Sequence, residues 1–452
     1  MRIKIKLSNQ MPFKLICLLS MFLFLATPLV AQEKTENNEY RQISVEKYQD
    51  KLAGGWLGQA IAVLWGQWTE FKWQKEIVPF ELEDWYMLEI PKNNDAISSM
   101  DDYQAVMKAN RKLANDKNNW KKWTPDKMSD QDDLYIEFMF LYSILKNGLD
   151  VTAKEIAEDW LRYLDPERIW CANKAAYENF QRGIWPPMSG HPRNTIWGDA
   201  IDFQIEADLF GLISPGMTDV SNAWGNKVGH IMNYGDGVYA GMAIAAMYSE
   251  AFFESDPKKL VEHSLSAIPS ESGYARMIKD VIALHEKYPD WKDAWVELEK
   301  TWGVNRIIDG IGIDVQINGA YVYMGLLYGE GDFLKSMNVS MRCGKDSDCN
   351  PSSVAGILGT ILGMNAIPDK WAILRDLPIE NKAINEIYPD MIEWDDILES
   401  TYEVAKWNIL ENGGYLENGY FSIPENKIKP PVLEQTLLVP DRMQFNPGDL
   451  KE

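Results

Sequence analysis

Glycines at 356, 359 and 363 punctuate an otherwise small and apolar run from Ser352 to Gly363, and they limit what that run can become. Each weakens a helix by about 1 kcal/mol relative to alanine. A helix carrying them makes sense where a second backbone must approach closely. Pro351 suits its first turn, where a missing N–H costs nothing. The run therefore predicts a deeply buried helix, and the loop that feeds it is acidic: Cys343-Gly-Lys-Asp346-Ser-Asp348-Cys349-Asn350. In an extended loop alternate side chains share a face, so Asp346 and Asp348 can aim at one spot, near the positive end of the helix. Paired carboxylates need protons or a cation to neutralise them, and hard divalent ions such as Mg2+, Mn2+ and Ca2+ take oxygen ligands. The plain alternative is a solvated turn in which Asp348 or Asn350 caps the helix. An EF-hand is excluded, because Pro351 stands where that loop needs Gly and Ile357 where it needs Glu.

Helical periodicity runs through the rest of the chain. Val45–Trp65, Asp132–Lys146, Thr152–Leu164, Asp199–Phe210, Asp236–Phe253, Pro257–Ala267, Ser272–Tyr288, Asp314–Tyr328, Asp332–Ser340 and Trp394–Leu410 all carry apolar residues at three- and four-residue spacing. Several, such as 235–253, are apolar nearly all round, as inner helices of a layered bundle are. Strand alternation is scarce, and no linker or internal repeat interrupts the pattern. The expected fold is all-α, a single large multi-helix domain over residues 45–414. A Pro-rich extended tail over 415–452 would wrap the surface, with room for a short hairpin.

Residues 1–31 read as a secretory signal: Arg2, Lys4, Lys6 and Lys14 precede an apolar run from Leu15 to Val30 that closes on Ala31. The run is short for a membrane span, and Cys17 sits too early for a lipid-anchored cysteine. The expectation is an exported protein, periplasmic or extracellular, with no stable membrane anchor after cleavage and a flexible lead-in over 32–44. Cleavage would remove four cations from a chain whose formal charge is already −22. Such a surface repels nucleic acid, whose binders are usually basic. Three cysteines remain beyond the leader, Cys171, Cys343 and Cys349, too few and too odd for a disulfide framework. His191, His230, His263 and His285 show no paired spacing of the zinc kind.

A second acidic cluster, Ser129-Asp130-Gln131-Asp132-Asp133, opens an apolar helix. Asp at a helix start is ordinarily a cap, yet three acids in four residues exceed what capping needs. If this loop faces Asp346 and Asp348, four carboxylates converge, which suits a pair of divalent ions. Asp199, Asp202 and Glu206 share a helix face at three- and four-residue steps, a solvated face or a pocket wall. His230, Asn233 and Asp236 bracket a Gly-containing turn, and a lone His there is more often a hydrogen-bonded core residue than a base. Trp65, Trp68 and Trp73 flank Glu70 and can fill core or stack on a sugar. No phosphate-binding Gly-rich loop is present.

In these motifs the chain resembles the ADP-ribosylglycohydrolase family, the dinitrogenase-reductase-activating glycohydrolase-like proteins. Gly54-x-x-x-Gly58-x-Ala60, continuing to Gly66-x-x-x-Glu70-Phe71, is similar to the family's first signature. Gln131-Asp132-Asp133 resembles its Thr-Asp-Asp, and Gly344-Lys-Asp346-Ser-Asp348-Cys349 its Gly-Gly-Asp-Thr-Asp-Thr before a Gly/Ala-rich helix. Gly225-x-x-x-Gly-His230 is similar, more loosely, to its His-containing helix start. The resemblance implies an all-α fold with two Mg2+ or Mn2+ ions, or one, ligated by Asp132, Asp133, Asp346 and Asp348. It implies acid/base or gating work for Glu70. The remaining candidates, Gln131, Asp202, Glu206, His230, Asn233, Asp236 and Cys349, would then line the substrate cleft. Three departures stand out: Gln131 and Cys349 replace hydroxyl ligands, and Val63 stands where the family often has Asp. Gln retains a carbonyl oxygen, whereas Cys suits Mg2+ poorly, unless Cys349 is simply a small buried hydrophobe.

The reaction so implied is hydrolysis of an N- or O-glycosidic bond at a ribose-like sugar, ADP-ribosyl, nucleoside or furanoside, on a small-molecule or glycan substrate. Two alternatives stay open. One is a non-catalytic sugar- or nucleotide-binding protein of the same fold with a degenerate metal site. The other is an unrelated all-α toroid glycosidase or lyase, working on aromatic residues away from Asp346.

Overall fold

The computed structural model describes residues 39–90, 100–303 and 312–434. The expected signal segment 1–31, most of the lead-in and the end of the tail lie outside the described residues. Among the described residues there are seventeen α-helices and only short strands, the all-α architecture the periodicity predicts. In chain order the helices are α1 (Val45–Gly66), α2 (Met100–Ala114), α3 (Asp132–Asn147), α4 (Ala153–Tyr163), α5 (Cys171–Gln181), α6 (Asp202–Ile205), α7 (Asp208–Leu212), α8 (Thr218–Gly229) and α9 (Asp236–Ala251). They continue as α10 (Pro257–Ser264), α11 (Gly273–Lys287), α12 (Trp291–Thr301), α13 (Val315–Gly329), α14 (Phe333–Arg342), α15 (Cys349–Leu362), α16 (Asp369–Ala372) and α17 (Trp394–Glu411).

Four of these, α1, α9, α13 and α15, are buried along nearly their whole length and form the inner layer. Beyond the polar first turns of α1, their sequences are apolar nearly all round, so solvent has little side to claim. The centre of that layer is α1 against α15. A Cβ placed on Gly54 would lie 2.2 Å from the Gly359 carbonyl oxygen, and one on Gly359 would lie 2.0 Å from the Gly54 carbonyl oxygen. The two backbones touch, and side chains there would force them apart. Amphipathic helices lie outside this layer; α4, capped by a reciprocal Thr152–Glu155 box, packs against α3 and α5.

A polar knot ties the inner helices together beneath their apolar contacts. Gln59 Nε2, on α1, donates to Glu137 Oε2 at 3.1 Å and to Asp208 Oδ2 at 2.8 Å. The Leu209 N–H donates to Glu137 Oε1 at 2.7 Å, and the Tyr248 hydroxyl donates to Asp208. Tyr248 is seated in a notch that Gly356 leaves open on α15. Burial pushes the Asp208 carboxyl up to about 8, against the pull of its bonds to Tyr248 and Gln59. Burial and the neighbouring Asp208 hold Glu137 well above the usual carboxylate range.

Two sequence expectations are corrected. The helix expected over Asp199–Phe210 is broken into α6 and α7. Asn233 Oδ1 accepts the Phe203 N–H at 3.0 Å and Glu137 Oε1 accepts that of Leu209, so side chains from other elements satisfy backbone donors that a continuous helix would use. The end of the expected flexible lead-in, Tyr40–Ser44, is a strand, β1. It pairs antiparallel with Tyr420–Pro424 in a three-stranded sheet that also holds Tyr415–Glu417, the hairpin anticipated in the tail. Ser44 then caps α1 by accepting the Lys47 N–H at 3.1 Å.

Gly359→Ala is expected to lower the thermal unfolding midpoint even though alanine is the better helix former by about 1 kcal/mol, because the added methyl meets backbone; a raised midpoint would show that the helices can part. The Asp208 carboxyl keeps its proton in the folded chain up to about pH 8 but loses it near 3.8 when unfolded. Its contribution to stability is therefore complete below pH 3.8 and is lost as pH rises through 8. In metal-free buffer, Asp208→Asn should flatten the fall of the unfolding midpoint between pH 5 and 8, measured by circular dichroism.

Candidate metal centre

Two acidic turns meet at the mouth of the inner layer. Asp132 and Asp133 open α3, and Asp346 and Asp348 occupy the turn between α14 and α15. That turn is not the extended loop the spacing suggests. Lys345 has a left-handed backbone (φ +57°) and Asp348 is helical (φ −113°, ψ −47°), so a tight bend brings the two carboxylates together. The bend is held by neighbours: the Lys345 N–H donates to the Trp73 carbonyl at 2.7 Å and its own carbonyl accepts the Phe71 N–H at 2.8 Å. Asn318 Oδ1, from α13, accepts the Asp346 N–H at 3.3 Å and the Asn350 amide at 2.8 Å. The end of α1 packs on the same turn, where a Cβ on Gly66 would lie 2.7 Å from the Asp348 Cα.

Ligand atoms of Asp132, Asp133 and Cys349 lie within 4.8 Å of one another, as do those of Asp346, Asp348 and Cys349. Asp133, Asp346 and Asp348 are buried, and Asp132 is partly exposed. Such crowding shifts every group. Burial, and after it repulsion from Asp346, holds Asp348 well above the usual carboxylate range. Burial does the same for Asp346, with Glu70 and Asp133 adding to it. Asp133 is pushed up to about 8 by burial and then by Asp132. Lys345, the cation within the loop, turns its ammonium toward Glu299 at 3.6 Å rather than toward these acids.

The donor set fits a divalent cation. Neither oxygen of Asp133 reaches a donor at full hydrogen-bonding geometry, only looser contacts with Ser352 and Cys349, and Asp346 Oδ1 is likewise unpartnered. Buried carboxylate oxygens without partners are costly unless something positive completes them. Four carboxylates around one small volume, with a thiol between the pairs, can hold one or two such ions.

Glu70 stands over this group on the turn after α1, beside the left-handed Phe71 (φ +55°). Burial raises its carboxyl well above the ordinary value, Asp348, Asp132 and Asp133 raise it further, and Lys72 opposes them. Asp202 and Glu206 survive the break in their expected helix as a third acidic pair, because Asn173 spans them. Its N–H donates to Asp202 Oδ1 at 3.1 Å and its side-chain amide to Glu206 Oε1 at 2.5 Å. Burial, and then Asp132, lifts Asp202 to about 7. Gln131 precedes α3 and donates to Ser129 Oγ at 2.9 Å.

The other three candidates are engaged elsewhere. His230 ends α8 with Nδ1 at the Asn226 carbonyl (2.5 Å) and Nε2 at Glu434 Oε1 (2.5 Å). Burial opposes its protonation, but the Glu434 carboxylate outweighs burial and holds the imidazole above its ordinary value. Asn233 is a structural pin, its amide donating to the carbonyls of Trp197, Gly198 and Ala200. Asp236 accepts from Gln316 Nε2 at 2.5 Å and lines a cavity of about 450 Å3 with Glu271, Arg276, Trp302 and Glu434.

Sequence reasoning missed several residues of this region: Glu137, Asp208 and Gln59 in the knot, and Asn173 and Asn318 as clamps. A single acid one turn after Asp133 in an apolar helix was the available signal for Glu137. Cys171 was also passed over. It has a strained backbone (φ +43°) at the start of α5, and burial, then Asp202, Asp132, Asp346 and Glu70, raise its thiol pKa.

Comparison with known proteins bears on this arrangement. No curated protein matches the chain significantly. A solved structure described as an "ADP-ribosylglycohydrolase-related protein complex" shares 14% identity, covering 80% of this chain and 100% of its own, at a TM-score of 0.48. The sequence profile of the ADP-ribosylglycohydrolase family matches residues 44–400, which include both acidic turns, Glu70 and the paired inner helices. The chain belongs to the ADP-ribosylglycohydrolase family.

Proposed function

We propose that the protein is an exported, divalent-metal-dependent glycohydrolase that cleaves an N- or O-glycosidic bond at a ribose-like sugar. The observation that carries this is the meeting of the two acidic turns, with buried carboxylate oxygens left without donors. When bound, divalent cations supply Lewis-acid polarisation at sugar oxygens and offset developing charge. Asp132, Asp133, Asp346 and Asp348 would hold them. Glu70, whose carboxyl burial holds above the ordinary range, is suited to pass a proton to the leaving group as the anomeric carbon becomes oxocarbenium-like. Asp202 and Glu206, each with one oxygen unpartnered, offer acceptors to sugar hydroxyls. Trp65 and Trp73, on either side of Glu70 in sequence, are buried.

The leader-like first 31 residues motivate export to the periplasm or beyond, and no described helix is long and apolar enough to cross a membrane. An exported enzyme would not meet intracellular ADP-ribosylated proteins, which favours a nucleoside, free sugar or glycan furanoside as substrate. Nucleic acid is an unsuitable partner for a chain of formal charge −22.

Purified protein supplied with Mn2+ or Mg2+ and a panel of ADP-ribosyl, nucleoside and pentofuranoside substrates is expected to turn over at least one of them and to stop on chelation. Glu70→Gln should lower kcat by roughly 10²–10⁴-fold with metal content unchanged. Asp346→Asn should abolish turnover and lower bound metal together. Full activity in Asp346→Asn would instead favour a cleft elsewhere, and metal and sugar binding without turnover would favour a binding protein.

A further inference from the structure

Cys349 is the residue common to both ligand groups: its Sγ lies within 4.8 Å of carboxylate oxygens of Asp132 and Asp133, and of Asp346 and Asp348. The usual reading of a buried cysteine is a small hydrophobe, and Cys343, six residues earlier, fits it. The Cys343 thiol contacts the Val339 carbonyl at 3.2 Å and Met324 Sδ at 3.9 Å, within the core. Cys349 differs in kind. It is only 5% exposed, yet its sulfur lies among four carboxyl groups, with Asp348 Oδ1 at 3.9 Å and loose contacts to Asp133 and Asp346. A sulfur among acids gains little from packing.

Its position is also fixed from both sides. Asn350 is tied back to the Asp346 carbonyl at 3.1 Å and to Asn318 at 2.8 Å. Ser352 Oγ donates to the Gln59 carbonyl at 3.2 Å, so the first turn of α15 is anchored to α1. Two of the acids around the sulfur, Asp133 and Asp346, are at least nine-tenths buried and hold oxygens with no partner at full geometry. Both oxygens of Asp133 are unpartnered at that geometry, and Asp133 has one within 4.8 Å of the thiol.

Resting on the metal-centre reading above, we propose that Cys349 is a sulfur ligand shared by the two halves of the centre, and that it makes the site select a borderline cation, Zn2+ or Co2+, over Mg2+. Thiolate binds Zn2+ at about 2.3 Å, whereas Mg2+ demands oxygen ligands in near-octahedral array. Coordination forms the sulfur–metal bond and releases the thiol proton to solvent, with no change of oxidation state. Zn2+ outcompetes Mg2+ at many sites without sulfur, so the preference itself proves nothing. What identifies the ligand is how the preference and the spectrum respond to losing the sulfur.

The test is a titration of metal-free protein with Co2+, followed by absorption, alongside Zn2+ and Mg2+ binding by calorimetry. Wild-type protein and Cys171→Ser are expected to show a near-ultraviolet sulfur-to-cobalt charge-transfer band. Cys349→Thr and Cys349→Ser should lack it, bind Zn2+ roughly tenfold or more weakly, and bind Mg2+ at least as well. Co2+ binding to wild type without the band, or a band lost in Cys171→Ser alone, would overturn the proposal while leaving the glycohydrolase reading standing. Failure to bind any of the three cations would overturn both. Because the wild-type spectrum needs no variant, misfolding of either substitution does not remove the test.

Discussion

The closeness of α1 to α15 is the constraint on which the rest of this molecule depends. With Gly54 and Gly359 in backbone contact, the two helices run together to the end of α1, where Gly66 abuts the Asp346–Asp348 bend. The turn bearing Glu70 follows four residues later. The acids of that bend and the Glu70 turn therefore have fixed positions because two backbones touch. Glycine gives up helix stability at each position, and the close approach offsets it through contact along the inner layer. The first and last of the family-like signatures fall on or beside this pair of helices for a mechanical reason.

Around that contact the protein concentrates negative charge where proteins usually avoid it. Glu137 and Asp208 share the amide of Gln59, Asp202 and Glu206 share Asn173, and four aspartates crowd Cys349. Each group is lifted above the ordinary carboxylate range chiefly by burial, so the cluster resists being fully ionised without a counter-charge. A neutral carboxyl such as Glu70 can donate a proton, and an unpartnered carboxylate can take a cation. Both capacities arise from one physical cause, the removal of water from closely spaced acids.

Much of this was legible in the sequence. Apolar residues at helical spacing identified the inner helices and several outer ones, but not α2, α5, α8 or α12, which no expected segment covers. The glycines at 356 and 359 signalled the close contact, and the paired aspartates signalled the centre. What was not legible came from partners distant in sequence. The break between α6 and α7 depends on Asn233 and Glu137 taking backbone donors. The strand at Tyr40–Ser44 depends on Tyr420–Pro424. The bend at Lys345 that aims the aspartates depends on Trp73 and Phe71. His230 sat near the motif pattern, yet its imidazole is taken by Glu434, and no local spacing announces a partner so far along the chain.

The small sheet that sets Tyr40 beside Pro424 has a consequence for how the chain reaches its final state. Ser44 is both the last residue of that strand and the cap of α1, so the first described helix is secured by residues far along the chain. The contact of Gly54 with Gly359 spans roughly three hundred residues as well, and non-local pairings of this kind slow folding because loop closure must precede them. The inner layer cannot close on a growing chain. Until Tyr420–Pro424 is in place, the strand leading into α1 has no edge to pair with, so the sheet and the start of that helix are completed by the same long-range contact.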